Sequence, residues 1–227
     1  TMGAVIRTKS PIYSKKAMFD IGIAGPLSGF VICLGILIYG FTHVPSIEYL
    51  INIHPDYFSP DYGKEGMQLI FGDSILFSLL RYIFVDPNSF FPPMSEIYHY
   101  PFLCAGWFGL LVTSMNMIPV GQLDGGHISY TMFGDKKHYT ISAISSIILF
   151  VIGFAAVLDS LLEFNIGIGW SGWLFWAFIL YFIVKIKHPP VPDVLPLDRK
   201  RMFLGYVSFF IFVISFSPAP LMLNVIG

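Results

Sequence analysis

Asn116-Met-Ile-Pro119-Val-Gly121-Gln-Leu123-Asp124-Gly125-Gly126-His127 sets a carboxylate among residues that loosen a helix. The surrounding run, Phe102 to Phe133, is otherwise dominated by Leu, Val, Met, Phe, Gly and Ile. Such a run belongs in lipid, where an ionised Asp at a helix centre costs roughly 2.5–3.5 kcal/mol on insertion scales. The charge needs a cation, a metal or water beside it, so Asp124 is the first candidate for function. As one straight helix the run would reach roughly 45 Å, beyond a hydrocarbon core of about 30 Å. The element is therefore tilted or broken, and Pro119, Gly121, Gly125 and Gly126 supply the break: proline removes a hydrogen bond, and glycine permits close approach and unusual dihedrals. Irregular backbone at membrane depth is tolerated where protein or a water-filled cavity covers it, which places Asp124 beside a wet cavity near the cytoplasmic end. The plainer alternative is a kinked helix with an Asp at its interfacial end.

Composition agrees with lipid. Of 227 residues 55% are hydrophobic and 12% charged, with a mean hydropathy of +0.71, whereas a soluble domain carries about 25% charged residues. A net charge of −1 gives no reason to expect a nucleic-acid partner. Cys33 and Cys104 sit in apolar runs without a CxxC spacing and read as small core residues. The four tryptophans, Trp107, Trp170, Trp173 and Trp176, read as interface anchors.

Apolar stretches near 20 residues divide the chain into five spans: Ala17–Phe41, Phe102–Phe133, Thr140–Leu158, Ile168–Ile186 and Met202–Phe216. A sixth, Gln68–Val85, carries Asp73 and Arg81 and reads as a re-entrant or surface helix. With the N-terminal end cytoplasmic and five crossings, Arg7, Lys9, Lys15, Lys16, Lys136, Lys137, Lys185, Lys187, Arg199, Lys200 and Arg201 lie inside. Only Lys64 and Arg81 then remain outside, which obeys the positive-inside rule. The expected fold is an all-α polytopic membrane protein forming one membrane domain over residues 1–227. It comprises a cytoplasmic lead-in (1–16), core spans (17–133) with an outer loop (42–101), and C-terminal spans (134–227). The proline-rich stretch His188–Pro196 is expected to be a stiff cytoplasmic connector.

Asn116-x-x-Pro119-x-x-x-Leu123-Asp124-Gly125-Gly126 resembles the N-x-x-P-x-x-x-L-D-G-G motif of the site-2 protease family of intramembrane zinc metalloproteases (peptidase M50 type). Upstream, Ala24-Gly25-Pro26-Leu27 resembles that family's A-G-P-L landmark, and Thr1–Arg7 the strand region that follows its first catalytic helix. The two landmarks stand in the family's order, each in its own span, in a form similar to bacterial or plastid-type members without a PDZ insertion. The resemblance implies a zinc ion as cofactor, with Asp124 as its third protein ligand beside two histidines of an H-E-x-x-H helix. The fourth position takes a water that the glutamate deprotonates for attack on a peptide carbonyl. Asn116 is then the residue acting on the substrate backbone or the oxyanion, and Pro119 shapes the bend that aims Asp124. Gly25, Pro26, Gly125 and Gly126 are structural residues near the site. The implied substrate is a transmembrane segment of another membrane protein, cleaved towards the cytoplasmic side of what is expected to be a bacterial inner membrane.

One part of the motif set is missing. The six histidines (His43, His54, His99, His127, His138, His188) contain no pair four apart, so there is no H-E-x-x-H. In the family this motif precedes the A-G-P-L helix, so it is expected before Thr1. The chain as written is expected to be inactive by itself, with metalloprotease activity at family level. His127, three residues after Asp124, is weighed as a second ligand and set aside because the glycine pair argues against a regular helix. His54 and Asp56 read as solvated, and Asp20 as a surface carboxylate salt-linked to Lys15 and Lys16. The alternatives are a catalytically inactive protease homologue and a non-enzymatic membrane binding or transport protein. An aspartyl protease pairing Asp20 with Asp124 is disfavoured, because Asp20 looks interfacial and Gly121-Gln-Leu-Asp124 is not the G-x-G-D pattern.

Overall fold

α1 (Lys15–Thr42) and α6 (Asp135–Leu161) are 28 and 27 residues long. Each therefore extends roughly 40 Å. Both are strongly apolar, and most of their apolar length is left uncovered by the rest of the molecule. These are the two helices, among the described residues, long and apolar enough to cross a membrane. A core helix of a soluble protein would be largely covered by its neighbours. Here Val31, Ile32, Ile147 and Val151 stand exposed instead. The computed structural model describes residues 14–60, 62, 66–162, 164, 166–167, 169–193 and 195–226. The Thr1–Arg7 segment likened to a strand lies outside them.

The remaining elements are α2 (Ile47–Ile53), β1 (Gly66–Phe71), α3 (Ile75–Phe84), α4 (Pro101–Asn116), α5 (Asp124–Phe133), α7 (Gly172–Ile179), α8 (Arg199–Ser215) and β2 (Leu221–Ile226). A 3₁₀ turn (Ile97–His99) leads into α4, and a π-helical turn (Leu180–Val184) extends α7. The Phe102–Phe133 run is broken as expected, into α4 and α5, with an irregular junction from Met117 to Leu123. α4, α5, α7 and α8 are each shorter than a full straight crossing, so length alone supports two spans rather than five.

Two expectations need correction. The described residues are mostly helical but not all-α: β1 pairs antiparallel with β2 from Gly66↔Ile226 to Phe71↔Leu221. The Gln68–Val85 candidate is not one helix, since its first residues belong to β1 and only Ile75–Phe84 is helical. α3 opens with Ser74, whose hydroxyl accepts from the Phe77 amide at 3.2 Å. An N-cap of this kind stops the helix from extending back towards β1.

α1 packs lengthwise on α4 and then on α5, while α6 packs on α7 and α5. Small residues allow the α1–α4 approach, with Leu37 seated against Gly106 and Cys33 against Gly109. Both cysteines are free. The larger core cluster gathers Leu37, Phe41, Phe77, Leu103, Trp107, Leu110 and Trp173, and a smaller one gathers Phe19, Ile23, Met117 and Ile128 under α5.

Polar contacts collect at two ends. At one, Arg201 grips Asp20 through Nε–Oδ1 (2.9 Å) and Nη2–Oδ2 (2.7 Å) and also bonds Asp198. The Asp193 carboxylate accepts the first amide of α1, from Lys15, at 3.0 Å. Asp20 is thus salt-linked as expected, but to Arg201 of α8. At the other end Trp107 Nε1 donates to the Gly72 carbonyl and Trp173 Nε1 to that of Pro218, both at 2.8 Å. β1 and β2 pair at this same end.

Candidate metal-ligand site at the α4–α5 junction

Asp124 is the first residue of α5 and follows Leu123, whose extended backbone (φ −66°, ψ 163°) begins the helix. The junction before it is a succession of tight turns: Val120 N–H donates to the Ile118 carbonyl (2.8 Å) and Leu123 N–H to that of Val120 (3.1 Å). Gly121 has φ +52°, and a Cβ there would stand 1.9 Å from the Lys185 carbonyl oxygen. Only glycine meets both conditions.

The glycine pair after Asp124 has a different reason. A Cβ on Gly125 would lie 2.0 Å from the Met117 carbonyl oxygen, and one on Gly126 would lie 2.3 Å from that of Gly121. The first turn of α5 lies with its backbone directly on the backbone of the junction. L-D-G-G is therefore the sequence of a helix start folded back on its own lead-in.

α1 forms the facing wall. A Cβ on Gly22 would meet His127 Cβ at 2.9 Å, and one on Gly25 would meet Asp124 Oδ2 at 3.9 Å. The A-G-P-L landmark and the L-D-G-G landmark, separated by about 100 residues, thus stand against each other. Pro26 is buried inside α1. Among the described residues nothing donates a hydrogen bond to the half-buried Asp124 carboxylate, and no cation pairs with it. Asn116 is the last residue of α4 and is half-buried, with no partner for its amide among the described residues.

Pro119 is braced from α6. Its carbonyl accepts from Ser142 Oγ at 2.9 Å. Ser142 Oγ lies 3.2 Å from His138 Nε2, and His138 Nδ1 lies 2.5 Å from Ser129 Oγ on α5. Ser129, His138 and Ser142 are all fully buried. This chain of three side chains links the junction, α5 and α6, and the sequence reading passed over it. Its only sequence signal is the i, i+4 spacing of His138 and Ser142 on one face of α6.

His127 turns away from any role beside Asp124. Its Nδ1 lies 2.7 Å from His188 Nε2, so one ring nitrogen donates and the other accepts. His188 stacks on Tyr130 (4.2 Å between ring centroids), and Tyr130 Oη accepts from the Val191 amide at 3.0 Å. Burial holds His188 below the usual imidazole range, against an opposing contact with the Pro189 carbonyl. The proline-rich connector is thus docked on α5.

A structural or catalytic zinc ion takes at least three protein ligands. Asp124 fits one position, as a carboxylate without a donor, walled by small residues. Among the described residues the one group of three His, Cys, Asp or Glu ligand atoms within 4.8 Å of one another is His54, Glu96 and His99, in the outer loop, and Asp124 is not in it. The described residues therefore do not complete a zinc site at Asp124. Nor does Asp20 face Asp124 as an aspartyl dyad would require, since Arg201 holds it.

Comparison with known proteins bears on the same residues. A model of peptidase family M50 matches residues 1–159. The probable zinc metalloprotease EGY2, chloroplastic, of Oryza sativa subsp. indica is 25% identical over 194 residues, covering 85% of this chain and 30% of that protein. EGY2 of Arabidopsis thaliana is 22% identical over 97% of this chain and 34% of its own length. The probable zinc metalloprotease EGY1, chloroplastic, of Oryza sativa subsp. japonica is 29% identical over 96% of this chain and 33% of its own length. The chain thus spans about a third of the length of the curated relatives it matches. These relatives are chloroplastic by name, and nothing in them favours the bacterial inner membrane expected from the sequence. No solved structure matches. Both landmark motifs fall inside the matched region, and with its exposed apolar helices this membrane protein belongs to peptidase family M50, a family of metalloproteases.

Proposed function

We propose that residues 1–227 form the aspartate-bearing part of a site-2 protease-like intramembrane zinc metalloprotease that cleaves transmembrane segments of other membrane proteins. The observation that carries this reading is the Asp124 carboxylate, without a partner among the described residues, held at a helix start by the glycine pair and faced by Gly25. Zinc, when bound, supplies an activated water for peptide hydrolysis. The ligands besides Asp124 come from outside residues 1–227. Within the chain, Pro119 and the Ser142–His138–Ser129 chain fix the direction of Asp124. Gly125 and Gly126 keep α5 against the junction, and Gly25 and Pro26 keep α1 from filling the space beside the carboxylate. Asn116, at the open end of α4, binds the backbone of a locally unwound substrate.

The membrane arrangement we favour has five crossings in one domain, with the short helices α4–α5, α7 and α8 completing the set begun by α1 and α6. The β1–β2 pairing supports this parity. Five crossings put the outer loop and the segment after α8 on one side, where they can pair, and α3 then does not cross. The same count brings Lys15, Asp20, His127, His188 and Arg201 to the opposite, positively charged side, with Asp124 near it. We assign that side to the cytoplasm or its organellar equivalent. Nothing in the charge pattern calls for a nucleic-acid partner.

The test is the zinc content and activity of the full-length gene product purified from its own membrane. Asp124→Ala is expected to remove one zinc per chain relative to the unaltered protein, together with cleavage of a transmembrane substrate. Undiminished zinc and cleavage in that variant would sink the assignment. Absence of zinc from the unaltered protein would leave an inactive homologue that binds membrane helices.

A further inference from the structure

The outer loop holds a second cluster of ligand-type side chains. His54 follows α2, Glu96 precedes the 3₁₀ turn before α4, and His99 is the last residue of that turn. His54 Nε2 and His99 Nε2 lie 2.9 Å apart. Glu96 Oε2 faces both, 3.8 Å from the first and 3.6 Å from the second. Glu96 is 4% exposed, and its Oε2 is a buried oxygen without a hydrogen-bond partner among the described residues. Its other oxygen, Oε1, accepts from Tyr62 Oη at 3.2 Å.

As a network of hydrogen bonds this arrangement is incomplete. The bond between the two imidazoles occupies both Nε2 atoms with each other, so neither offers a proton to Glu96. Leaving a buried carboxylate oxygen without a donor is costly. Two imidazole nitrogens facing one buried carboxylate oxygen are the ligand set of a divalent cation.

We propose that His54 Nε2, His99 Nε2 and Glu96 Oε2 bind a divalent transition-metal ion of the zinc class, separate from any metal at Asp124. Tetrahedral zinc with nitrogen and oxygen ligands near 2.0–2.2 Å sets neighbouring ligand atoms about 3.3 Å apart. The three separations here, 2.9, 3.6 and 3.8 Å, bracket that value, so shifts of a few tenths of an ångström suffice. Tyr62 orients the carboxylate from behind by donating to its other oxygen. The two histidines are only partly buried, which leaves the ion's fourth position open to the outer aqueous side for water or a donor from another molecule. The ion ties α2 to the turn that starts α4. The other end of α4 leads to Asn116 and the Asp124 junction, so the two sites stand a helix length apart.

Titration of the metal-stripped chain in detergent with Co²⁺, followed by displacement with Zn²⁺, tests this. One tetrahedral cobalt spectrum per chain is expected, bleached by zinc and unchanged in Asp124→Asn. Loss of a ligand in Glu96→Gln or His99→Ala should weaken binding beyond the roughly 10–100-fold that loss of a second-shell partner costs, and Tyr62→Phe should fall within that range. If Glu96→Gln fails to fold, His54→Ala, at the more exposed ligand, carries the same measurement. Zinc should also raise the Tm of the unaltered chain and not that of His54→Ala. Cobalt binding that survives His54→Ala, or that disappears only in Asp124→Asn, would overturn the proposal.

Discussion

The two ends of α4 handle charged and polar groups in opposite ways. At its C-terminal end the backbone is packed so closely that glycine is required at Gly121, Gly125 and Gly126, and a single carboxylate is presented without a partner among the described residues. At its N-terminal end side chains from two segments converge, and three ligand atoms meet within 4.8 Å. The first end is built rigidly around one carboxylate that no described residue meets. The second nearly closes on itself. A site to be completed from elsewhere needs scaffolding from backbone, because an isolated side chain cannot orient itself. A site completed by its own ligands can rely on them.

That contrast can be broken most forcefully at the glycines. Gly125→Ala should destabilise the fold by roughly 3 kcal/mol, because its Cβ must displace the Met117 carbonyl rather than a side chain. Unfolding in mixed micelles would measure it, and an effect near zero would mean that the junction is loose. His138→Ala comes next, at about 2 kcal/mol, since it leaves a void and removes the ring between Ser129 and Ser142. Asp124→Asn should go the other way, leaving stability unchanged or raising it by up to about 1 kcal/mol, as residues kept for function often do on replacement. A clear loss of stability there would show that the carboxylate supports the fold. Arg201→Ala should matter least. Its pairs with Asp20 and Asp198 are solvent-accessible, and such pairs contribute little, so a thermal scan should barely separate it from the parent.

How much of this was legible in the sequence follows from the range over which each feature is encoded. α1 and α6 were readable because hydrophobicity sustained over 27 or 28 residues is a local signal. The break between α4 and α5 was readable from Pro119 and the glycines, and the meeting of Gly25 with Asp124 followed from the two motifs. Asp20 was read as salt-linked but given the wrong partners, because Arg201 is 181 positions away while Lys15 and Lys16 are adjacent. His54 was read as solvated because its partners lie more than 40 residues on and no spacing rule joins them. The sheet went unseen for the same reason, since neither β1 nor β2 has a hairpin partner nearby.

That sheet has a consequence for the order of synthesis. Gly66 pairs with Ile226, so β1 leaves the ribosome about 150 residues before its partner does. At roughly 5–20 residues per second, its edge stays open for on the order of ten seconds or more, while the chain from α3 to α8 is still being made. That end of the molecule can close only after α8 has been made. Any delay in inserting the late helices therefore prolongs the life of an unpaired strand, the kind of edge to which chaperones and neighbouring chains bind.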